Sequence, residues 1–345
     1  ASDVLATQDL SVTGVVTAII FDGKLAYCDN DGDGMPDFWE ARNGLSWTNA
    51  ADACANPDGD GLINLHECWC RTDPGVADGA QYALSDAALA IDSRIAGRNP
   101  TNALPIFENY ISNGVNGVFI RNADCWAADL DLTCCSPWNS NADNKKAGTL
   151  ISPRHVLFAA HYELPVNCFV YFVDRHNNVI TRKLVAKKQH CAFTNDFPDL
   201  TVGLLDSDVP TNRISFARVL PDNYADYIRT GERLPAIRLD QEEKALVGDV
   251  WRVTSQSGKA FTSCAVPVDA TRFAFYERIV LYDSGNPCFL WINGQPVLLT
   301  VWTRGGPGSG TSVTAFKNDI NQLMSDLGGG YQLTEIDLSG FIPLP

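Results

Sequence analysis

The chain has 345 residues, 45% of them hydrophobic, so it can bury the core of one large domain and carry a smaller module. Acidic residues outnumber basic ones by 41 to 26, which gives a formal net charge of −15. This charge argues against nucleic acid and anionic membranes as partners, because both attract positively charged proteins. No apolar run reaches the ~20 residues that a membrane-spanning helix needs.

Eleven cysteines are present, and their spacing lacks the paired ligands of a zinc site. Cys68 and Cys70, for example, have no second ligand pair at a usable spacing. We therefore predict structural disulfides and an oxidising compartment, with at least one thiol left over because the number is odd. We expect the adjacent Cys134 and Cys135 to reach separate partners. The chain begins at Ala1 rather than Met, as it would after removal of an export leader, so we expect a secreted, extracellular or periplasmic protein.

Four segments follow one another along the chain. The first is a strand-like lead, and the second is a calcium-loop module dense in Asp, Asn, Gly and Cys. The third is a connecting segment in which a β domain begins, and the fourth is the body of that domain. Their bounds are 1–27, 28–74, 75–145 and 146–345. The pattern DAALAIDSRIAG (86–97) predicts a helix, and SVTAFKNDINQLMSDLG (312–328) predicts a terminal one.

From residue 146 onward, β-branched and aromatic runs alternate with turn residues at short intervals. This spacing indicates the strands of an antiparallel barrel or sandwich, so we expect a mainly β body. The predicted strands are 168–174, 178–185, 249–256, 278–283 and 296–302.

Two acidic loops match the pattern of an EF-hand calcium loop. The first is DNDGDGMPDFWE (29–40), and the second, NPDGDGLINLHE (56–67), begins 27 residues later. Calcium binds about six to eight oxygens, the glycine at position 6 permits a sharp turn, and the glutamate at position 12 can close the site with two oxygens. We predict two Ca²⁺ sites. The predicted ligands are Asp29, Asp31, Asp33, the carbonyl of Met35, Asp37 and Glu40 in the first loop, and Asn56, Asp58, Asp60, Leu62, Asn64 and Glu67 in the second.

The phrases DGDGMPDFWE and DGDGLINLHE resemble the bacterial thrombospondin-type-3 calcium repeats and, less closely, a dockerin. The resemblance covers residues 28–74 and implies calcium binding with a structural role. Without calcium, the eight carboxylates of the two loops would repel one another, so we expect the module to loosen. The alternative is a solvated acidic segment that holds no metal.

Three further motifs carry a histidine, an aspartate and a serine in that order. They are GTLISPRHVLFAAHY (148–162), DFPDLTVGLL (196–205) and LYDSGNPCFLWINGQPVLL (281–299). A serine hydroxyl is a weak nucleophile at neutral pH, so it needs an imidazole to take its proton and a carboxylate to fix the imidazole tautomer. The predicted groups are His161, Asp199 and Ser284.

These motifs resemble those of the trypsin-like (chymotrypsin-fold) serine proteases, over residues 146–328. The resemblance implies a chymotrypsin-like double β-barrel with a small N-terminal calcium module and a C-terminal helix. It implies that His161 acts as general base and then general acid, that Asp199 orients it, and that Ser284 is the nucleophile. It also implies an oxyanion hole formed by the backbone N–H groups of Tyr282 and Ser284.

The chain departs from the pattern of that family near the serine. Tyr282 and Asn286 stand where the family has glycine, and Tyr162 stands where many relatives have a cysteine. In the family a freed N-terminal amine pairs with the aspartate before the serine, which is Asp283 here. Arg94–Ile95 is a candidate cleavage point, although an internal partner for Asp283 is the alternative.

Substrate specificity is predicted by two positions of the same resemblance. Arg278 falls where the family lines its primary pocket, and an arginine there would favour acidic side chains. The glycines of TRGGPGSG (303–310) would let the backbone approach a peptide.

Together the motifs predict a secreted, calcium-stabilised serine endopeptidase that acts on peptides or proteins through an acyl-enzyme. Two other functions are open. The first is a catalytically impaired binding protein with a protease fold, in which Tyr282 leaves the oxyanion hole unformed. The second is a calcium-dependent docking or spacer protein. The sequence does not indicate an oligomeric state.

Overall fold

The computed structural model describes residues 19–21, 24–26, 28–111, 118–137, 146–191, 198–229, 233–253 and 260–345. The chain divides into two compact units, one formed by 1–85 with 341–345 and the other by 86–340. Residues 1–18 of the predicted strand-like lead lie outside the described residues. Its end forms a short hairpin of β1 (Ile19–Phe21) and β2 (Lys24–Ala26), in which Ile19 pairs with Ala26.

The first unit contains the two acidic loops, and each of them leads into a short helix at its ninth position. These helices are α1 (Asp37–Arg42) and α2 (Asn64–Cys70). The glycine at position 6 has a φ of +95° in both loops, the left-handed region that a side chain disfavours. Met35, Ala53, Ile63 and Leu65 form a buried cluster between the loops, with Trp39 and Trp69 packed against it. The loops are therefore held on one small core.

Helix α3 (Ala83–Ile95) confirms the helix predicted at 86–97, although it begins earlier. The second unit continues with α4 (Pro100–Ala103), in which Asn99 caps the first turn by accepting from the N–H of Thr101. A hairpin of β3 (Phe107–Ile111) and β4 (Val118–Arg121) follows.

The rest of the second unit consists of two six-stranded antiparallel sheets. The first has the order β5-β6-β7-β10-β9-β8 and the second β15-β14-β11-β12-β13-β16. In each sheet the two edge strands approach each other, so that the sheet curls into a barrel. The strands of the first are β5 (Cys135–Ser136), β6 (Gly148–Ser152), β7 (His155–Phe158), β8 (Phe169–Val173), β9 (Val179–Gln189) and β10 (Thr201–Leu205). The strands of the second are β11 (Leu234–Leu239), β12 (Ala245–Val253), β13 (Phe261–Ala265), β14 (Pro287–Ile292), β15 (Gln295–Val301) and β16 (Ser309–Thr311).

This arrangement confirms the predicted fold class, a mainly β chymotrypsin-like double β-barrel with few helices. Helix α5 (Ala270–Ala274) lies between β13 and β14, and α6 (Lys317–Leu327) is the predicted terminal helix. Every residue of β6, β7, β11 and β14 is buried, as expected of strands packed on both faces. Among the described residues, no helix is both long and apolar enough to cross a membrane.

One predicted strand, 278–283, is wrong. Ile279 forms only an isolated bridge with Gly306, and the following residues turn instead of extending. The N–H of Asp283 donates to the carbonyl of Val280 at 3.2 Å, and the Asp283 carboxylate accepts from the N–H of Val280 at 2.6 Å. A run of apolar residues therefore forms a turn, because the Asp283 side chain accepts from the N–H of Val280.

The cysteines of the second unit include two pairs whose sulfur atoms are in contact. The Sγ atoms of Cys264 and Cys288 lie 3.7 Å apart inside the second barrel, and both residues are buried. Cys134 and Cys135, expected to reach separate partners, have Sγ atoms 3.8 Å apart. Disulfide formation and export remain predictions.

Candidate active site and metal-binding loops

His161 stands immediately after strand β7, in a turn of 3-10 helix at Ala160–Tyr162. Its backbone N–H donates to Oδ1 of Asp199 at 2.9 Å, and its ring Nδ1 lies 2.6 Å from Oδ2 of the same carboxylate. The Asp199 side chain is fully buried, while that of His161 is 25% exposed. Because an ionised carboxylate only accepts, Nδ1 carries the ring proton and Nε2 is left as the acceptor. This is the tautomer that a general base requires.

Ser284 completes the arrangement. Its Oγ lies 2.8 Å from Nε2 of His161, within the range of a hydrogen bond in which the hydroxyl donates. His161 and Asp199 belong to the first barrel, whereas Ser284 lies on the turn that enters β14 of the second. The structure therefore brings together all three residues that the sequence motifs single out.

Asp199 is fixed from the second barrel as well. Its backbone N–H donates to Oγ1 of Thr311 at 2.7 Å, and Thr311 is fully buried at the end of β16. Thr311 could not be identified from the sequence, because a single threonine in a three-residue strand carries no recognisable motif. Its hydroxyl holds the start of the aspartate segment in place.

The turn that carries the serine fits closely between the barrels. Gly285 has a φ of +87°, and its N–H donates to the carbonyl of Trp302 at 3.0 Å. A Cβ at Gly285 would lie 3.4 Å from the carbonyl oxygen of Ala147, tighter than most side-chain contacts. Asn286, which stands where the family has a second glycine, donates from its side-chain amide to the carbonyl of Asp283 at 3.1 Å. That amide thus tightens the turn.

Tyr282 adopts the backbone conformation that a glycine would take. Its φ is +80°, and its side chain is about half exposed. For a residue with a Cβ this left-handed region costs about 1–2 kcal/mol. The N–H of Asp283 is used within the turn, but among the described residues neither the N–H of Tyr282 nor that of Ser284 donates to a protein acceptor. Two N–H donors, one on either side of Asp283, are therefore available to an acceptor outside the described residues.

The Asp283 carboxylate is buried and accepts from backbone on both oxygens. Oδ1 accepts from the N–H of Gln241 at 3.1 Å, and Oδ2 from the N–H of Val280 at 2.6 Å. Burial raises the pKa of Asp283, and these two hydrogen bonds oppose that rise. The internal partner considered for Asp283 is thus backbone rather than a charged group, and Gln241 was not identified from the sequence.

Arg94–Ile95, the candidate cleavage point, lies in the last turn of α3. Arg94 donates through Nε and Nη2 to the carboxylate of Asp129, and Ile95 is buried. A peptide bond held in a packed helix is a poor protease substrate. This environment argues against cleavage there.

The two predicted specificity positions have different surroundings. Arg278 is exposed. Two glycines of 303–310 are closely packed: a Cβ at Gly305 would lie 2.7 Å from the carbonyl oxygen of Ile279, and one at Gly308 would lie 2.7 Å from the Trp302 ring. The specificity expected of Arg278 and of the glycines stays a prediction.

Two aromatic rings flank the serine and histidine. The rings of Tyr162 and Tyr282 have centroids 6.3 Å apart, and Nζ of Lys146 lies 4.9 Å from the centroid of the Tyr162 ring. Val280 and Leu281, just before Tyr282, are 55% and 75% exposed. Residues 280–282, shortly before Ser284 in the chain, are therefore apolar and exposed, and the Tyr282 ring lies near that of Tyr162.

In the first unit, the predicted calcium ligands gather into compact groups. One ligand oxygen from each member lies within 4.8 Å of the others in three sets. The sets are Asp29, Asp31 and Asp33; Asp33, Glu40 and Asp52; and Asp58, Asp60 and Glu67. Asp52 was not among the predicted ligands.

Other predicted positions have contacts of their own. Both oxygens of Asp37 accept from Asn30, at 2.9 Å from its N–H and 2.7 Å from its side-chain amide. Asn56 accepts from the N–H of Gly59 at 2.9 Å. Met35 and Leu62, at position 7, are fully buried, and their N–H groups donate to the carboxylates of Asp33 and Asp60.

The closing glutamates suit a cation. Glu40 and Glu67 are 0% and 1% exposed, and no carboxylate oxygen of either has a hydrogen-bond partner among the described residues. Burial, reinforced by neighbouring carboxylates, raises the pKa of each to about 8. A buried acid without donors is costly unless a cation neutralises it. The two loops therefore fit Ca²⁺, which takes only oxygen ligands.

Comparisons with known proteins give little beyond the fold. No protein-family model matches the chain, and no curated protein matches it. Among solved structures, human heparin binding protein is similar at 15% identity and a TM-score of 0.42, over 57% of this chain and 93% of that one. A mutant of the same human protein is similar at 16% identity and a TM-score of 0.42, over 58% of this chain and 95% of that one. The fold assignment rests on the strand order described above.

Proposed function

We propose that this protein is a serine endopeptidase that cleaves peptide bonds through an acyl-enzyme. One observation carries the proposal: the His161 ring lies 2.6 Å from the buried Asp199 carboxylate on one side and 2.8 Å from the Ser284 hydroxyl on the other. A structural histidine has no need of this arrangement. His155, for comparison, is fully buried between Ser152 and the carbonyl of Gly328.

In the acylation step, Oγ of Ser284 attacks the carbonyl carbon of the scissile bond while its proton passes to Nε2 of His161. Asp199 stabilises the imidazolium that forms and does not itself take the proton. The carbonyl oxygen becomes an oxyanion, for which the N–H groups of Tyr282 and Ser284 are the proposed donors. Collapse of the intermediate breaks the C–N bond, and the proton on His161 passes to the leaving amine.

In the deacylation step, water replaces the amine. Nε2 of His161 takes a proton from the water as the water oxygen attacks the ester carbon. The bond between that carbon and Oγ of Ser284 then breaks, and Nε2 returns the proton to Oγ. The products are a free carboxylic acid and the regenerated enzyme. Preorganised oxyanion donors supply about 3–4 kcal/mol each in such reactions, so the conformation of Tyr282 bears directly on the rate.

The substrate we propose is a peptide or protein with apolar residues next to the cleaved bond. The exposed Val280 and Leu281 and the paired rings of Tyr162 and Tyr282 offer apolar surface beside Ser284. Burying such surface contributes about 25 cal/mol per Å². Export into an oxidising, calcium-containing medium belongs to the same proposal and is supported by the eleven cysteines and the acidic loops.

We also propose that two calcium ions stabilise the first unit. The unpartnered carboxylates of Glu40 and Glu67 support this role, together with the repeated loop pattern. Asp33, Glu40 and their neighbours would hold one ion, and Asp58, Asp60 and Glu67 the other. Calcium would supply charge neutralisation and no step of the proteolytic chemistry.

A fluorophosphonate probe tests the proteolytic function. We expect it to label the native protein, and we expect Ser284→Ala to abolish the labelling while leaving the circular dichroism spectrum unchanged. Hydrolysis of a protein substrate should disappear in the same variant. If the probe fails to label the folded protein and no peptide is cleaved, the proteolytic function is overturned, and the chain is then a binding protein with a protease fold.

A further inference from the structure

We propose that Asp52 is a ligand of the first calcium ion and that Asn64 couples the two calcium sites, so that an ion in the second loop strengthens binding in the first. The inference rests on the proposed calcium role. Asp52 lies outside both twelve-residue loops, and nothing in the loop pattern assigns it a function.

We assign to Asp52 the ligand role that the loop pattern gives to the ninth residue of the first loop. Asp37, at that position, has both oxygens engaged by Asn30. Asp52 instead offers a ligand oxygen within 4.8 Å of those of Asp33 and Glu40. Its Oδ2 accepts from the N–H of Ser46 at 2.9 Å, whereas Oδ1 is buried without a partner among the described residues.

Glu40 provides the independent sign that this group binds a cation. It is 0% exposed, and neither of its buried oxygens has a hydrogen-bond partner in the part of the chain that the structure describes. Asp33 Oδ2 and Asp31 Oδ2 are likewise buried without a donor. Oxygens of this kind are what a hard divalent cation requires, and a fourth carboxylate from Asp52 would increase the charge that the ion meets.

Asn64 links this group to the second loop. Its Nδ2 donates to the backbone carbonyl of Asp52 at 2.9 Å, and its Oδ1 is buried and unpartnered. Asn64 is the ninth residue of the second loop and is 1% exposed. The amide nitrogen thus reaches the residue that we assign to the first site, and we assign the amide oxygen to the ion of the second loop. An ion that holds Oδ1 fixes Nδ2, and Nδ2 in turn holds Asp52 in position.

Coupling of this kind is reciprocal, so each ion should favour the other by the same factor, typically about 5–150-fold. Backbone hydrogen bonds near Asp52 connect the two loops over a short distance. Its carbonyl also accepts from the N–H of Ala55 at 2.9 Å, and the carbonyl of Ala55 accepts from the N–H of Asn64 at 2.8 Å. These hydrogen bonds therefore hold the backbone of Asp52 and that of Asn64 close together.

Calorimetric titration of the full chain with Ca²⁺ tests whether Asp52 is a ligand and whether the two sites are coupled. We expect two ions per chain in the native protein. Asp52→Asn should weaken one site at least 10-fold, whereas the matched control Asp73→Asn, which removes one exposed charge from the same unit, should leave both affinities within 2-fold. If Asp52→Asn binds both ions as tightly as the control does, Asp52 is not a ligand.

The coupling is tested by disabling each site in turn. Glu67→Gln removes a closing ligand of the second loop, and we expect the first loop to lose at least 5-fold in affinity although none of its own ligands changed. Asn64→Asp keeps a ligand oxygen for the second ion but removes the Nδ2 donor, so it should weaken the first site and leave the second filled. Unchanged first-site affinity in both variants would overturn the coupling.

These outcomes are separable from failure of the calcium role itself. A native protein that binds no Ca²⁺ overturns both the role and the inference. In another outcome, the native protein and the variants Asp52→Asn and Asn64→Asp each bind two ions with the same, independent affinities. That result would keep the calcium role and overturn the inference alone. Luminescence of Tb³⁺ excited through Trp39 or Trp69, which pack against the core between the loops, gives a second readout that does not depend on proteolysis.

Discussion

Nε2 of His161 lies 2.8 Å from Oγ of Ser284, and the two side chains come from different barrels. The hydrogen bond therefore spans the junction between two separately formed sheets. Its length depends on how each residue is positioned: His161 by Asp199, which Thr311 of the second barrel holds in turn, and Ser284 by the turn before β14. Variants of these supports should change activity in distinct ways.

Replacing Asp199 by Asn should reduce kcat by roughly 10⁴, because an amide that donates to Nδ1 would move the ring proton to Nε2 and remove the general base. Hydrolysis of a chromogenic peptide measures the effect. The unfolding midpoint should stay within a few degrees of the native value, since the side chain keeps its shape. Residual activity within 10-fold of native would contradict the role of Asp199.

Two substitutions at Tyr282 should have opposite effects. Glycine accepts a φ of +80° without strain, so Tyr282→Gly should retain activity and match or exceed native stability by up to about 1 kcal/mol. Proline lacks the N–H and fixes φ near about −65°, so Tyr282→Pro should lose about 10²–10³ in kcat. Equal activity of the two variants would show that the Tyr282 N–H plays no part in the reaction.

Asp283→Ala should destabilise the second unit by about 2–4 kcal/mol, because it removes the carboxylate that accepts from the N–H groups of Val280 and Gln241. We expect kcat to fall as the serine turn loosens. Urea denaturation measures the first effect and peptide hydrolysis the second. Asp124→Ala, at an exposed aspartate of the same unit, serves as the control and should change neither quantity appreciably.

Removal of calcium should lower the unfolding temperature of the first unit. An ion present at 100 times its dissociation constant stabilises the folded state by about 2.7 kcal/mol. Differential scanning calorimetry with Ca²⁺ and with a chelator measures the shift. The double variant Glu40→Gln, Glu67→Gln should show no response to the chelator. An unchanged transition in the native protein would contradict two filled sites.

Acid should destabilise the first barrel through Asp174. Burial alone would raise the pKa of this residue, but hydrogen bonds from Asn178, Arg213 and the N–H of His176 hold it well below its usual value. A carboxyl whose folded pKa is depressed contributes stability that is complete above its unfolded pKa of about 3.9 and is lost as the pH falls toward the folded value.

Asp174→Asn should therefore be less stable than native protein at pH 7 and should lose less stability than native protein between pH 5 and pH 2. Urea denaturation at several pH values compares the two proteins. Parallel pH profiles would show that Asp174 is not the group responsible. Arg213→Lys is a milder control, since it keeps the charge but not the two-nitrogen contact.

The sequence predicted the parts of the site that lie in continuous motifs. His161, Asp199 and Ser284 each stand beside an apolar strand, so their local patterns identify them. The repeated loops could be predicted for the same reason. Residues that act across the fold could not: Thr311 and Gln241 bind backbone groups of Asp199 and Asp283, and no local pattern marks them.

Asp52 escaped prediction because the twelve-residue pattern already names a ninth ligand, Asp37. Only the three-dimensional arrangement shows that Asn30 occupies Asp37 and that another carboxylate lies beside Glu40. The segment 278–283 misled for a related reason. Its run of β-branched and other apolar residues indicates a strand, but the Asp283 side chain accepts from the N–H of Val280 and closes a turn.

The backbone partners of Asp283 affect the stage at which the turn that carries Ser284 takes its final form. Where an aspartate in this position waits for a newly created amine, the timing of activity is set by a cut in the chain. Here the N–H groups of Gln241 and Val280 reach the carboxylate as soon as the second barrel forms. Under the proposed function, the serine turn would therefore form on folding, without a cut in the chain.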